Sequence, residues 1–311
     1  MTTYVEHMRQ QNALARTLVD VTGATSISEV LEQADLDWEV SLHDLKYTPG
    51  SDMPSVDMPD HFAVARSGLT PLGVVGQRYT PIQNSDAFAP LEYLEREGFI
   101  SGYDQAGVLG DGQKVFVIAT LNKELNVGDP HTNRLLFSTT HDGTGSFNVR
   151  AISQRLFCSN QIPRLNSLGK SLGISIRHTQ SAQQRMLRVK DLVLAEMRWI
   201  DEYQKGYETL LDSPAQGDAV LAFVSMIAPT PVPPATERMV RAAEKKREDI
   251  LQRIYGSTNS NIRGTWAAAF QGAVEYSDFD ARGNNAERIL LGRDVAFKRE
   301  AWDLALQMAT R

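Results

Sequence analysis

Cysteine is almost absent from this chain: Cys158 stands alone, so there is no intrachain disulfide framework and no cysteine-rich zinc site. A single thiol among Leu156, Phe157 and Ile162 reads as a small core residue, not as a nucleophile paired with the distant His178. Long apolar runs are also missing. The longest, Ala219 to Ala228, contains Ser225 and is about half of the roughly 20 residues a membrane span needs. The opening Met-Thr-Thr-Tyr-Val-Glu-His lacks the basic-then-apolar pattern of an export signal. The expectation is a cytoplasmic protein, in a bacterial or infected host cell, with no membrane partner. No internal repeat is visible, and low complexity is confined to Pro229 to Pro234, which holds four prolines.

The most informative shortage is of carboxylates. The 311 residues carry 32 Lys/Arg and 38 Asp/Glu, a net charge of -6 that argues against a uniformly basic nucleic-acid binder. That average conceals a sharp asymmetry. Residues 1–142 hold 9 cations and 20 carboxylates, residues 143–190 hold 8 and none, and residues 191–311 hold 15 and 18. A stretch of 48 residues without one acidic side chain is the feature that directs attention to function.

What is present describes an ordinary globular protein, 42 % hydrophobic and 23 % charged. Its length suggests about two domains of roughly 150 residues. Residues 1–60 read as an N-terminal arm, with a helix spaced by Met8, Leu14, Leu18 and Val21, then loop chemistry and a further helical start at Ser28. Residues 61–212 read as an α+β core. Phe62–Arg66 and Pro71–Gly76 are strands about the Ser67-Gly68 turn, and Asn84 or Ser85 caps a helix from Asp86 to Glu97, ended by Gly98. Gln105–Leu109 and Lys114–Leu121 form a hairpin about Gly110-Asp111-Gly112. Arg134–Thr140, Ser146–Arg150 and Ile174–Thr179 add strands, for a curved antiparallel sheet of four or more. Ala151–Gln161 reads as a helix ended by Pro163, with a buried strand as the alternative for part of it. A long amphipathic helix is expected from Ser181 to Leu211, on Met186, Val189, Val193, Met197, Ile200, Tyr203 and Tyr207. Residues 213–311 should be helical, in segments near 219–228, 236–255, 265–276 and 294–309. The fold class is therefore α+β.

Motifs for catalysis are weak. Gly169-Lys170-Ser171 resembles the end of a phosphate-binding loop, but Arg164 stands where its first glycine belongs. His131, His141 and Asp142 have metal-ligating chemistry, yet they sit where turn residues commonly bond locally. No metal, cofactor or catalytic residue is assigned, and a non-enzymatic protein is expected. The carboxylate-free stretch offers more. Arg150, Arg155, Arg164, Lys170, Arg177, Arg185, Arg188 and Lys190 are the candidate phosphate contacts, and Phe147 is the candidate stacking platform. If 151–161 is helical, Arg150 and Arg155 lie at adjacent azimuths, as Arg185 and Arg188 do on the long helix. The competing reading is that these cations neutralise the acidic N-terminal third.

Several stretches together resemble one family: Val74–Phe88, His141-Asp-Gly-Thr-Gly145, Val149-Arg150 with Phe157-Cys-Ser-Asn160, Ile176-Arg-His-Thr179, Gly264-Thr-Trp266 through Glu275-Tyr276, and Leu291-Gly292 through Lys298. They are similar to the phage/plasmid-like proteins grouped as domain of unknown function 932. Gln271-Gly-Ala-Val-Glu-Tyr276 departs from the Asn-Ala-x-Thr-Glu-Tyr usual there. The resemblance implies a mobile-element setting and supplies no activity. The order of hairpins, basic segment and long helix is also similar in outline to Rad52-type single-strand annealing proteins, a likeness at fold level alone. The expectation is a homo-oligomer that binds single-stranded DNA in recombination or replication. The alternative is a non-catalytic module that docks a host protein.

Overall fold

The computed structural model describes residues 19–68, 70–122, 129, 131–155, 161–163, 174–179, 189–280 and 293–311. Strand β1 (Val19–Asp20) precedes helix α1 (Ile27–Gln33), whose N-terminus is capped by the Ser26 side chain accepting from the Glu29 amide. Strands β2 (Val40–Tyr47), β3 (Val56–Arg66) and β4 (Thr70–Gly76) make a three-stranded antiparallel sheet in that order. Two short helices, α2 (Asn84–Phe88) and α3 (Pro90–Arg96), lead into β5 (Ile100–Leu109) and β6 (Lys114–Leu121). Gly98, Gly110 and Gly112 all have positive φ, which is why the helix stops and the β5–β6 hairpin turns where the sequence indicates.

Strands β7 (His131–Thr140), β8 (Phe147–Arg155), β9 (Gln161–Pro163) and β10 (Ile174–Ile176) complete the large sheet. Its order is β1-β5-β6-β7-β8-β10, with β9 also paired to β8. β10 pairs with Phe147 to Val149 and β9 with Ile152 to Gln154, so these two short strands lie end to end along the outer edge of β8. Helices α4 (Val189–Asp212), α5 (Asp218–Ile227), α6 (Glu237–Ile254), α7 (Trp266–Glu275) and α8 (Arg293–Ala309) make the C-terminal part helical. The fold is α+β with antiparallel sheets.

One hydrophobic core runs from Val21 to Ala305 and joins the inner face of the large sheet to the helices. Val115, Val117, Leu135, Phe137, Phe147, Val149 and Ala151 supply the sheet side at alternate positions. Val189, Val193, Ile200, Tyr203 and Tyr207 of α4 are buried at steps of three, four and seven, as the apolar stripe requires. α7 is buried along all ten residues, and Thr265 caps it by accepting from the Ala268 amide. Gly272 sits where a Cβ would lie 2.6 Å from the Ile254 backbone nitrogen, so glycine is what lets α7 approach the end of α6.

Three expectations change. Ala151–Gln161 is not one helix: β8 continues to Arg155, because β7 offers a ladder partner for every residue from Asn148 to Arg155. The helix expected from Asp86 to Glu97 is two helices, since Pro90 starts a new turn at its first position. Within residues 19–60, sheet replaces loop over β2 and the first half of β3, and α1 starts at Ile27, one residue before the expected Ser28. The helix spaced from Met8, the first turns of the long helix, Cys158 and the Gly169–Ser171 loop lie outside the described residues.

Candidate nucleic-acid interface

Because β9 and β10 both pair with β8, the described strands of the carboxylate-free stretch share one edge of the large sheet. Arg150 is half-buried in β8, opposite Leu136 of β7. Arg177 is exposed just past β10, beside the start of β8. Arg155 ends β8, and Lys190 lies in the first turn of α4. From the level of Arg177 to Arg155 is about 30 Å of strand, at roughly 3.4 Å per residue. With β8 a strand, the five-residue spacing of Arg150 and Arg155 no longer gives adjacent azimuths, because an odd spacing alternates faces. Arg164, Lys170, Arg185 and Arg188 lie outside the described residues.

Phe147 cannot serve as a stacking platform. Its ring is fully buried in the core, 6.1 Å from that of Phe137. The alternation that places Asn148 and Arg150 on one face places Phe147, Val149 and Ala151 on the other.

The histidines divide into two groups. His141 and His178 converge, with ring centroids 6.3 Å apart, and His178 stacks on Tyr79 at 5.1 Å with the planes 2° from parallel. His141 Nε2 donates to Asn84 Oδ1 at 2.8 Å, and Asn84 Nδ2 donates to the Leu36 carbonyl at 2.9 Å. Asn84 thus uses its side chain to bridge β7 and the segment before β2, not to cap α2. His178 Nε2 lies 3.1 Å from Thr139 Oγ1, and its carbonyl accepts from the Thr80 amide at 3.2 Å. Trp38 covers His141 edge-on at 5.3 Å.

Burial pushes the His141 imidazole down to about 3, helped by nearby His178 and opposed by the Asp142 carboxylate. Burial likewise pushes His178 down to about 4, again opposed by Asp142. Tyr79 is raised, chiefly by burial and then by Asp142. The pair is therefore neutral at physiological pH. Gly73 packs directly on the Asp142 backbone, where a Cβ would sit 2.7 Å from its Cα. These contacts bolt the three-stranded sheet to the turn between β7 and β8.

His131 is at the opposite end of β7, its Nδ1 bonded to the Asp129 carbonyl at 2.8 Å. There Asp129 accepts from Tyr207 Oη at 2.5 Å and from Asn261 Nδ2 at 3.0 Å, and Gln271 Nε2 donates to Tyr207 Oη at 3.3 Å. Sequence reasoning did not find this network, since its members are spread over more than 140 positions and share no spacing. Among the described residues, no group of three or more His, Cys, Asp or Glu is placed to hold a metal ion. No described helix is long and apolar enough to cross a membrane.

The profile of a family described as domain of unknown function (DUF932) matches residues 71–302. The chain belongs to the DUF932 family. Comparison with curated proteins and with solved structures finds no match. The DUF932 match begins at β4 and ends within α8. It takes in the whole basic edge, the imidazole pair and the Asp129 network, and leaves out α1, β2 and β3. Three of the stretches that carry the family resemblance meet in space: Tyr79, Thr80 and Asn84 contact His141 and His178.

Proposed function

We propose that this DUF932 protein is a non-catalytic, mobile-element protein that binds single-stranded DNA along the outer edge of its large sheet, in recombination or replication. The observation that carries the reading is the pairing of β9 and β10 end to end on β8, which brings Arg150, Arg155 and Arg177, from a stretch of the sequence without a carboxylate, to the outer margin of one sheet. Arginine suits that task because its planar fork meets phosphate oxygens bidentately. The acidic N-terminal third draws on cations of its own: Asp57 pairs with Lys46, Glu97 with Arg96, and Asp104 with Arg134. With Phe147 buried, the binding is read as chiefly electrostatic and tolerant of sequence.

Fluorescence anisotropy on a labelled single-stranded oligonucleotide tests this. If about five phosphates are neutralised, log K falls against log salt with a slope of roughly -3.5, and Arg177→Ala reduces that slope by about 0.7. No binding even at low salt overturns the reading. Recovery of a host protein in a pull-down that survives nuclease treatment, with no oligonucleotide binding, would favour a protein partner instead.

A further inference from the structure

β2 is an open edge. Among the described residues it pairs only with β3, while β4, at the other side of the three-stranded sheet, packs against the turn between β7 and β8. The Glu39 amide donates to Ser67 Oγ at 3.1 Å and its carbonyl accepts from the Ser67 amide at 2.9 Å. By antiparallel alternation, the backbone groups of Val40, Leu42, Asp44 and Lys46 then point away from β3. Val40 bears this out: its N–H donates to Gln83 Oε1 at 2.8 Å and its carbonyl accepts from Gln83 Nε2 at 2.9 Å, so the side-chain amide stands in for a neighbouring strand. Beyond Val40 the edge is open to solvent, with Leu42 37 % and Tyr47 51 % exposed. The devices that blunt such edges are not on β2. It holds no proline, and the irregularity opposite Leu45 is carried by β3, where Pro59 and Asp60, at φ 62°, lie. What β2 carries is one carboxylate and one ammonium, Asp44 and Lys46. Lys46 pairs with Asp57 at 3.1 Å, and among the described residues no cation pairs with Asp44.

Those two charges select the occupant. An added strand must bring a cation opposite Asp44 and a carboxylate opposite Lys46, and β2 of a second copy does both in one register. We propose that two copies pair β2 with β2 about a two-fold axis at Leu45, making one continuous antiparallel sheet with three strands from each. Outward-facing residues meet outward-facing residues in such a ladder, so even positions lie opposite even positions. An axis at Asp44 sets two carboxylates face to face, and an axis at Lys46 sets two ammoniums. An axis nearer the start of β2 needs the Val40 groups that Gln83 occupies. The axis at Leu45 places Asp44 opposite Lys46 twice, His43 opposite Tyr47 and Leu42 opposite Thr48. Lys46 then sits between Asp57 of its own chain and Asp44 of the second copy. On the other face Leu45 meets its own copy, beside the exposed Tyr47 rings. The contact is isologous, as a two-fold demands. It also supports residues 44–60, which β4 does not reach and which form a hairpin of a kind only marginally stable alone. The interface lies on the small sheet, away from Arg150, Arg155 and Arg177, so it stands or falls independently of nucleic-acid binding.

Sedimentation equilibrium on nuclease-treated protein, with disulfide trapping, tests the proposal. The wild type is expected to form a reversible, concentration-dependent dimer of the 34.5 kDa chain. Asp44→Lys should raise the dissociation constant about tenfold, because two charge pairs are lost and two repulsions gained. Lys46→Glu should do the same. An equimolar mixture of the two variants should associate more tightly than either alone, since each lysine then meets a carboxylate. Leu45→Cys should cross-link its two copies in oxidised glutathione, mapped to position 45 of both chains, because a non-hydrogen-bonded pair holds its Cα atoms about 4.5 Å apart. His43→Cys, on the same face but about 14 Å from its copy at roughly 3.4 Å per residue, should not. Unchanged circular dichroism checks that the variants fold. A wild type that stays monomeric at every concentration, an Asp44→Lys dimer as tight as wild type, a mixture no tighter than its components, or cross-linking as fast through position 43 as through 45 overturns the inference. Loss of oligonucleotide binding with the dimer intact overturns the nucleic-acid reading alone.

Discussion

Replacing Lys298 by methionine should destabilise the protein severely. Lys298 Nζ, on α8, donates to Asp278 Oδ1 at 2.5 Å, in the turn that follows α7, and both side chains are fully buried. Methionine keeps most of the volume and removes the charge, which withdraws the Lys298 cation from the buried Asp278 carboxylate. Breaking a buried pair from one side costs about 3–5 kcal/mol. Against a typical stability of about 5–15 kcal/mol, that is a large share. With an unfolding entropy of roughly 2.1 cal/mol/K per residue, about 0.65 kcal/mol/K for the whole chain, a loss near 4 kcal/mol lowers the melting temperature by about 6 °C. Calorimetry and urea titration read this directly. Lys298→Met with Asp278→Leu removes both charges and should recover most of the loss, since apolar residues often replace buried pairs at little cost. A single variant within about 1 kcal/mol of wild type, or a double variant worse than the single, would refute the reasoning.

Acid should destabilise the fold through the imidazole pair. Both native values, about 3 for His141 and about 4 for His178, lie below the ordinary 6.5. The unfolded chain therefore takes up protons first as pH falls below 6.5, and stability present above that value is lost on the way down to 4. Each histidine should contribute about 2 kcal/mol of loss between pH 7.5 and 5. His178→Gln should reduce the difference between urea titrations at those two pH values by that amount, and an unchanged difference argues against the assignment. Gly272→Ala gains about 1 kcal/mol of helix propensity but drives a methyl into the Ile254 backbone. A net loss of about 1–3 kcal/mol in urea titration is expected, and a stabilised variant would show that α6 moves aside freely.

The sequence made some elements plain and hid others for physical reasons. The β5–β6 hairpin was legible because two glycines with positive φ bracket its turn and the flanking runs are apolar. α4 was legible because its buried residues keep a helical step. Ala151–Arg155 was not, since a short run with Ala151, Ile152 and Ser153 all buried carries no period that separates strand from helix. β2 was hidden by its solvation: only Val40 is buried, so no alternation marks it as sheet. At the site, the basic stretch was visible as composition, but the role of Phe147 depended on which face of β8 meets the core. The Asn84–His141 bond was out of reach, because it joins positions 57 apart through burial alone.

Charge segregation along the chain makes sense once lengths are compared. The basic edge runs about 30 Å, while screening at physiological salt acts over about 8 Å. A phosphate on that edge therefore responds to the cations within its own neighbourhood and hardly at all to the -6 of the whole chain. At about 0.01 M salt the screening length reaches roughly 30 Å, and the surplus carboxylates of the first 142 residues begin to act on the same phosphate. The plot of log affinity against log salt should then bend over at the low-salt end, where a uniformly basic protein would keep to a straight line. Neutralising Asp44, Asp52 and Asp60 should straighten it. A line that stays straight to 0.01 M in the wild type, about the lowest salt at which the comparison is useful, would place the acidic third beyond electrostatic reach of the bound strand.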